Sequence, residues 1–472
     1  MSNQSRPPTE NVCARSWTPE SATEALSIAE QAILQAYRDQ RKASVRPRWS
    51  SEETAGKVGA VDFNSPIGLG AAIEEAANLM RGGDLLSASA RCFGYFNPTA
   101  AWPAVIADLL SAARNPQICV QSHAPASVAM ERRVIAWFLE QLGFPAEACG
   151  NFCSGGSEAN ATALQVALVR AHPEFASKGL AAFNARPSLY ASADSHLAWI
   201  KIARAAGLGS EAVRLVPTSG DGRMDTAALA HLLESDAAEG WRAVMIAATA
   251  GTTSAGEIDP LRDCHSIAKR HRLHFHVDAA WAGALVLDPA RRIFLDGISE
   301  ADSVTVDAHK WLSVPMGAGM VLLRDRQAVA RAFAVETGYM PAGDGVDAYL
   351  TTSQWSRRFV GLRLWMMLRS TGVAGYTQLF ARQFQMAERL RTLLVQRGWR
   401  IRNTSPLPVI LFEDAQHGRS ARSLADALEA DGRTWLGCVR HEGQDVLRAC
   451  FTSFLTEDAD VDLLLDRLEH VR

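Results

Sequence analysis

The chain has 472 residues, 48% of them hydrophobic and 21% charged, with a formal net charge of −3. At roughly 150 residues per domain, this length gives two or three domains and a core that needs no disulfide or metal staple. The near-neutral balance and a pI near 6.5 argue against an electrostatic binder of nucleic acid or of a membrane surface.

The cysteines stand at 13, 92, 119, 149, 153, 264, 438 and 450, without a CxxC pair. Cys149 and Cys153 have no second pair to complete a zinc site. Reduced structural thiols, no metal and a reducing, cytoplasmic compartment are the expectation. Residues 1–20 are polar and lack the apolar stretch of a signal peptide, and no run of about 18 apolar residues suggests a membrane span.

In chain order, 1–20 reads as a tail. Residues 21–42 carry Leu26, Ile28, Ala29, Ala32, Ile33 and Tyr37 at helical spacing, a stripe that must pack on the main body or on a partner subunit. Residues 43–100 are mixed and rich in Gly and Pro. From 101 to 375 short apolar runs alternate with helical stretches. Strands are expected at 187–192, 243–250, 274–277, 303–306 and 319–323, and helices at 159–171, 196–206 and 261–271. That alternation predicts an α/β fold with a mostly parallel sheet covered on both faces. Residues 376–472 read as a smaller α+β domain, with a helix at 381–397, a strand at 407–412, a helix at 420–430 and a final strand and helix. The expected division is thus 1–100, an N-terminal helical segment; 101–375, the large domain; and 376–472, the small one.

Open α/β sheets bind ligands at the carboxyl ends of their strands. Several such ends carry chemistry. Ser154-Gly155-Gly156-Ser157-Glu158-Ala159-Asn160 opens a helix, where glycines permit close approach and free N–H groups suit a phosphate; a plain helix cap reads equally from the same residues. Asp278, in His276-Val277-Asp278-Ala279-Ala280-Trp281, is a carboxylate that needs a partner if buried, and a protonated pyridine nitrogen would be one; a helix-capping Asp is the plainer reading. Lys310 follows a strand in Asp307-Ala308-His309-Lys310-Trp311, a setting that suits a nucleophilic amine and that no other lysine shares. His196 can stack on a flat ring or serve as a core residue. Thr252 and Thr253 can touch a cofactor or make a turn. Their order along one sheet supplies what pyridoxal 5'-phosphate requires: a phosphate anchor, a ring stack, a counter-charge and an amine.

The motifs SGGSEAN (154–160), AGTTSAGEIDP (250–260), HVDAAWAG (276–283), ADSVTVDAHKWL (301–312), SRRFVGLRLW (356–365) and LRAC (447–450) resemble those of the group II pyridoxal-phosphate-dependent amino-acid decarboxylases, the family of aromatic-L-amino-acid, glutamate and cysteine-sulfinate decarboxylases. Asp278 and Lys310 stand 32 apart, as in that family. The resemblance runs from about Phe93 to the C-terminus. It implies the type I, aspartate aminotransferase-like fold and a homodimer with active sites at the interface. It implies that Lys310 holds the cofactor as a Schiff base, that Asp278 pairs with the ring nitrogen and that His196 stacks on the ring. Gly156, Ser157 and Asp307 would hold the phosphate, and Thr253, Ala280 and His309 would line the site. The reaction implied is decarboxylation of an L-amino acid to its amine. A loop tyrosine returns the proton in the family; here the loop is 335–355, and Tyr349 is favoured over Tyr339. Tyr95, Phe96 and Asn97 suggest an aromatic or apolar substrate pocket, and 117–125 is a candidate contribution to the partner's site. Ser87-Ala88-Ser89-Ala90-Arg91 replaces a His-Pro-containing stretch of many relatives, and Ala198 replaces a small hydroxyl residue. The competing readings are oxidative deamination to an aldehyde, a carbon–carbon lyase, and a catalytically silent binding protein.

Overall fold

The computed structural model describes residues 19–338 and 347–472. Its centre is a seven-stranded sheet of β1 (Cys149–Cys153), β2 (Arg186–Ser192), β3 (Val213–Val216), β4 (Trp241–Thr249), β5 (His274–Asp278), β6 (Ser303–Asp307) and β7 (Gly319–Leu323). The spatial order is β1-β7-β6-β5-β4-β2-β3. Four of the six neighbouring pairs are parallel, and β7 alone runs against its neighbours. This is the mostly parallel sheet that the alternating pattern predicts. Strands β5, β6 and β7 are buried along their whole length; β7, Gly-Met-Val-Leu-Leu, is the continuous apolar run that burial on both faces favours, while β5 and β6 alternate apolar and polar residues.

Two strands escape the sequence pattern. β1 reads Cys-Gly-Asn-Phe-Cys, with no β-branched residue, and β3 has four residues. Both lie at sheet edges, where a strand needs less apolar surface. The Gly- and Pro-rich stretch 43–100 also holds helices. After α1 (Pro19–Lys42) come α2 (Ser51–Gly59) and α3 (Leu69–Gly83). α2 buries no side chain and is set by local chemistry: Ser50 and Glu53 form a reciprocal capping box. α4 (Trp102–Arg114) and α5 (Pro125–Gln141) follow, both with proline in the first turn. The stripe on α1 meets the main body through Tyr37, whose ring stacks on Trp102 at 4.2 Å.

Helix α6 (Gly156–Ala171) crosses the sheet over β4 to β7. Helix α7 (Ala198–Ala205) starts two residues later than the pattern predicts, because the Nδ1 of His196 accepts the Ala198 N–H at 3.1 Å. The chain then builds a second sheet from β8 (Trp399–Ile401), β9 (Val409–Asp414), β10 (Gly437–His441) and β11 (Gln444–Cys450), with all neighbours antiparallel. Helices at Gly372–Gln396, Ala421–Asp431 and Asp458–Val471 accompany it. Phe93, Leu390, Phe412, Leu447 and Leu464 belong to their common core. The two sheets are joined by polar contacts: Asn403 Nδ2 donates to the Ala255 carbonyl at 2.9 Å, and Ser405 Oγ to the Gly256 carbonyl at 2.6 Å.

Candidate active site

A cavity of about 340 Å³ opens at the carboxyl ends of β2, β4, β5 and β6. The strand pleat decides what faces it. In β5, His274, His276 and Asp278 share one face while Phe275 and Val277 take the other; in β6, Ser303, Thr305 and Asp307 alternate with Val304 and Val306. Both polar rows lie on strands buried on both faces, an unusual use of polar residues. Each row ends in a carboxylate at the cavity.

Asp278 is 5% exposed. Its Oδ1 accepts the Ala280 N–H at 3.1 Å, and its Oδ2 accepts from Asn160 Nδ2 at 2.8 Å. Lys310 Nζ lies 3.1 Å from Asp307 Oδ2. Asp307 Oδ1 is buried and has no partner among the described residues. Only glycine fits beside Asp307: a Cβ on Gly156 would sit 2.8 Å from Oδ2, and one on Gly319 2.8 Å from Oδ1 and 2.6 Å from the Gly155 carbonyl carbon. The turn into α6 is locked by Glu158, whose Oε2 accepts from the Ser154 backbone and hydroxyl, both at 2.7 Å, and from Gln354 at 2.8 Å. Burial holds the His196 imidazole below its usual range, opposed by the nearby Asp278 carboxylate. Burial does the same to His309, opposed by Asp307. His196 accepts at Nδ1, so a neutral ring carries its proton on Nε2.

The cavity brings together Gly156, Ser157, His196, Thr253, Asp278, Ala280, Asp307, His309 and Lys310, with Phe96 at one wall. Ala198 lines it as well. Thr252 is a turn residue, its hydroxyl accepting the Glu257 N–H at 3.0 Å. Tyr95 and Asn97 are not part of the lining. The extended chain turns alternate residues apart: Phe96 stacks on Trp281 at 4.4 Å, while Tyr95 stacks on Trp435 at 4.7 Å. Asn97 Nδ2 donates to the His309 carbonyl at 3.4 Å. Tyr349 also stays off the lining. It is buried with Cys119 and Val120, its ring 5.1 Å from Trp355. Tyr339 lies outside the described residues. The segment 117–125, expected to contribute to the partner's site, meets this loop within its own chain, the Gln121 N–H donating to Asp347 Oδ1 at 2.7 Å. The departure at 87–91 serves packing: Ser89 Oγ donates to the Gln40 carbonyl, and Arg91 pairs with Asp460 at 3.1 Å.

Two residues with no role in the sequence reading stand out. Asn160 is buried and bonded to Asp278; it lies in the quoted motif, but its partners are distant in sequence. Arg448 is buried with its guanidinium 4.3 Å from the Phe96 ring and one donor on the Gly94 carbonyl.

Residues 72–413 match the model of the pyridoxal-dependent decarboxylase conserved domain. The chain is 31% identical over 376 residues to L-2,4-diaminobutyrate decarboxylase of Rhizobium meliloti (strain 1021), covering 77% of this chain and 74% of that one. It is 28% identical to tryptophan decarboxylase 2 of Oryza sativa subsp. japonica over 78% of each. The crystal structure of mouse CSAD superposes with a TM-score of 0.90 at 25% identity, covering 96% of this chain and 99% of the other. The chain belongs to the pyridoxal-dependent decarboxylase family: it has the type I fold and is a pyridoxal-phosphate-dependent amino-acid carboxy-lyase. The residues present fit that cofactor, since one cavity offers a buried carboxylate, an amine, an imidazole and a glycine cradle at a helix start.

Proposed function

We propose that this carboxy-lyase converts an L-amino acid with an aromatic or apolar side chain to its amine. Named relatives of similar distance act on a diamino acid and on an aromatic one, so similarity does not choose between these classes. The observation that carries the choice is the Phe96–Trp281 stack on the cavity wall. Two stacked rings, tilted 29° from one another, offer apolar area and a stacking face to a flat or branched side chain.

When bound, the cofactor supplies a conjugated ring that accepts the electron pair left as carbon dioxide departs. Lys310 is the amine that would hold it. Asp278, fixed by two donors, would keep a proton on the ring nitrogen. His196 would cover one ring face, with Thr253 and Ala280 beside it. Gly156, Ser157 and the first turn of α6 would receive the phosphate, with Asp307 and His309 nearby. Tyr349 is read as a packing residue.

A homodimer fits the same reading. Leu26, Val58, Phe63, Met80, Leu109 and Leu110 are large, apolar and exposed on or beside α1 to α4. A face of that kind is unusual for a free monomer, and a second copy would cover it. Light scattering at working concentration should give twice the chain mass; a monomer would contradict the dimer. The cysteines that the structure describes are all free, which supports a reducing, cytoplasmic setting. No described helix is long and apolar enough to cross a membrane.

The substrate test is kcat/KM across L-Trp, L-Phe, L-Leu, L-2,4-diaminobutyrate, L-Asp and L-cysteine sulfinate. An aromatic or apolar substrate should lead by at least about tenfold, the worth of one apolar pocket contact. A lead by an acidic or diamino substrate would overturn the choice. Tyr349→Phe should leave the amine-to-aldehyde ratio unchanged; more aldehyde with peroxide would give Tyr349 the proton-returning role.

A further inference from the structure

We propose that Asn160 is a positioning residue for Asp278, oriented by a buried chain of side chains that runs beneath the sheet face to His274. The inference rests on the assignment of Asp278 to the cofactor's ring nitrogen.

Asn160, on the first turns of α6, is 2% exposed, and His276, Ser303 and Thr305 are fully buried. Asn160 Nδ2 lies 2.8 Å from Asp278 Oδ2. Its Oδ1 lies 3.1 Å from His276 Nε2 and 2.6 Å from Thr305 Oγ1. His276 Nδ1 is 2.8 Å from Ser303 Oγ, which is 2.7 Å from His274 Nε2.

The proton positions follow from donor and acceptor inventory. A carboxylate only accepts, so the amide NH2 of Asn160 faces Asp278 and its oxygen faces the other way. That oxygen only accepts, so Thr305 donates its hydroxyl proton and His276 carries a proton on Nε2. Burial keeps both imidazoles neutral: His276 is held well below its usual range and His274 is pushed down to about 4. A neutral His276 therefore has a bare Nδ1, which accepts the Ser303 hydroxyl proton. Ser303 then accepts from His274 Nε2–H. Only the His274 Nδ1, an acceptor, ends without a partner, a cheaper loss than an orphaned donor.

The chain has one consistent polarity. Turning the Asn160 amide over would set its oxygen against the Asp278 carboxylate and its NH2 against the His276 N–H. Two donors from two different strands hold it against that flip. The geometry thus delivers a fixed, charge-assisted donor to the one carboxylate oxygen not served by backbone. Such support determines where a charge sits and how firmly it stays.

The experiment compares Asn160→Ala, Asn160→Asp, Thr305→Val and Asp278→Asn, each loaded with pyridoxal phosphate. Three quantities are read: cofactor affinity by fluorescence titration, the pH midpoint of the visible absorbance, and kcat separately from KM. Losing one charge-assisted bond should lower kcat about tenfold to a hundredfold and move the absorbance midpoint by about one unit. Asn160→Asp should be worse than Asn160→Ala, because it sets a second carboxylate against Asp278. Thr305→Val keeps shape, removes one donor and should show a smaller shift of the same sign, which holds even where Asn160→Ala folds poorly. A merely structural role would lower the melting temperature and leave the absorbance midpoint in place. If Asp278→Asn is impaired while Asn160→Ala and Thr305→Val keep wild-type midpoints and kcat, the positioning role is wrong. If Asp278→Asn itself behaves as wild type, the ring-nitrogen assignment fails and the inference with it.

Discussion

Along β5 and β6, from His274 to the carboxyl ends at the cavity, the large sheet buries His274, His276, Asp278, Thr305 and Asp307. The small sheet β8–β11 buries Phe412, Leu411, Leu447 and Ala449 instead. Its charges pair around the periphery, as Arg402 does with Glu413 and Glu442, and Arg440 with Asp445. The exceptions are Arg448, turned toward Phe96 and the cavity side, and Asp414 at the end of β9, whose buried carboxylate pairs with the buried Arg472 guanidinium at 2.9 Å. Burying polar groups costs free energy unless every partner is in place. The large sheet accepts that cost along the rows that lead to the cavity, and the small sheet confines it to Arg448 and the Asp414–Arg472 pair. The difference separates residues that set chemistry from residues that set stability, and substitutions in each region should fail in different ways.

The largest effect is expected at Lys310. Lys310→Ala should abolish turnover and the visible absorbance of the lysine-held cofactor while circular dichroism stays native. Next comes Asp278→Ala, expected to cost about a hundredfold to a thousandfold in kcat, the worth of one preorganised electrostatic group, and to weaken cofactor retention in dialysis. Full activity in either variant would blur the comparison. On the other side, Leu464→Ala removes a fully buried side chain from the small-sheet core. It should cost about 2–5 kcal/mol in denaturant unfolding and leave kcat per folded molecule unchanged.

The smallest effect concerns pH. The folded-state values of His274 and His276 lie below the usual imidazole range. The stability His274 contributes is complete above about pH 6.5 and is lost as pH falls from there toward about 4, because the unfolded chain takes up protons that the folded one refuses; His276 acts in the same direction. Glu257 and Asp259 act in the opposite sense. Burial raises them to about 7 and about 6, so the folded state binds protons first and gains stability as pH falls. Glu257→Gln lacks its share of that gain. Its melting temperature should fall more steeply than wild type between pH 7 and 5; parallel curves would contradict the shift.

Much of the site was legible in sequence, because the reactive types fall at the ends of strands with readable patterns. Lys310, Asp278, His196 and the 154–160 turn meet in one cavity. What escaped depends on distance or direction. Asn160 meets His276 and Thr305 across 116 and 145 positions, and no local pattern reports such a meeting. The available signal was the alternation His-Phe-His-Val-Asp and Ser-Val-Thr-Val-Asp in strands too apolar on one face to be exposed on the other. Tyr95 and Phe96 were read as one pocket, but an extended chain sends neighbours to opposite sides. Edge strand β1 carries little apolar signal because little of it is needed there, and β3, apolar at Val213, Leu215 and Val216, is too short at four residues to stand out.

The central claim is tested most directly by mass spectrometry of the products formed when the pyridoxal-phosphate-loaded protein meets each common L-amino acid. The account predicts an amine lighter than its substrate by one carbon dioxide, without peroxide. A product that keeps the carboxylate, or an aldehyde formed with stoichiometric peroxide, would contradict it.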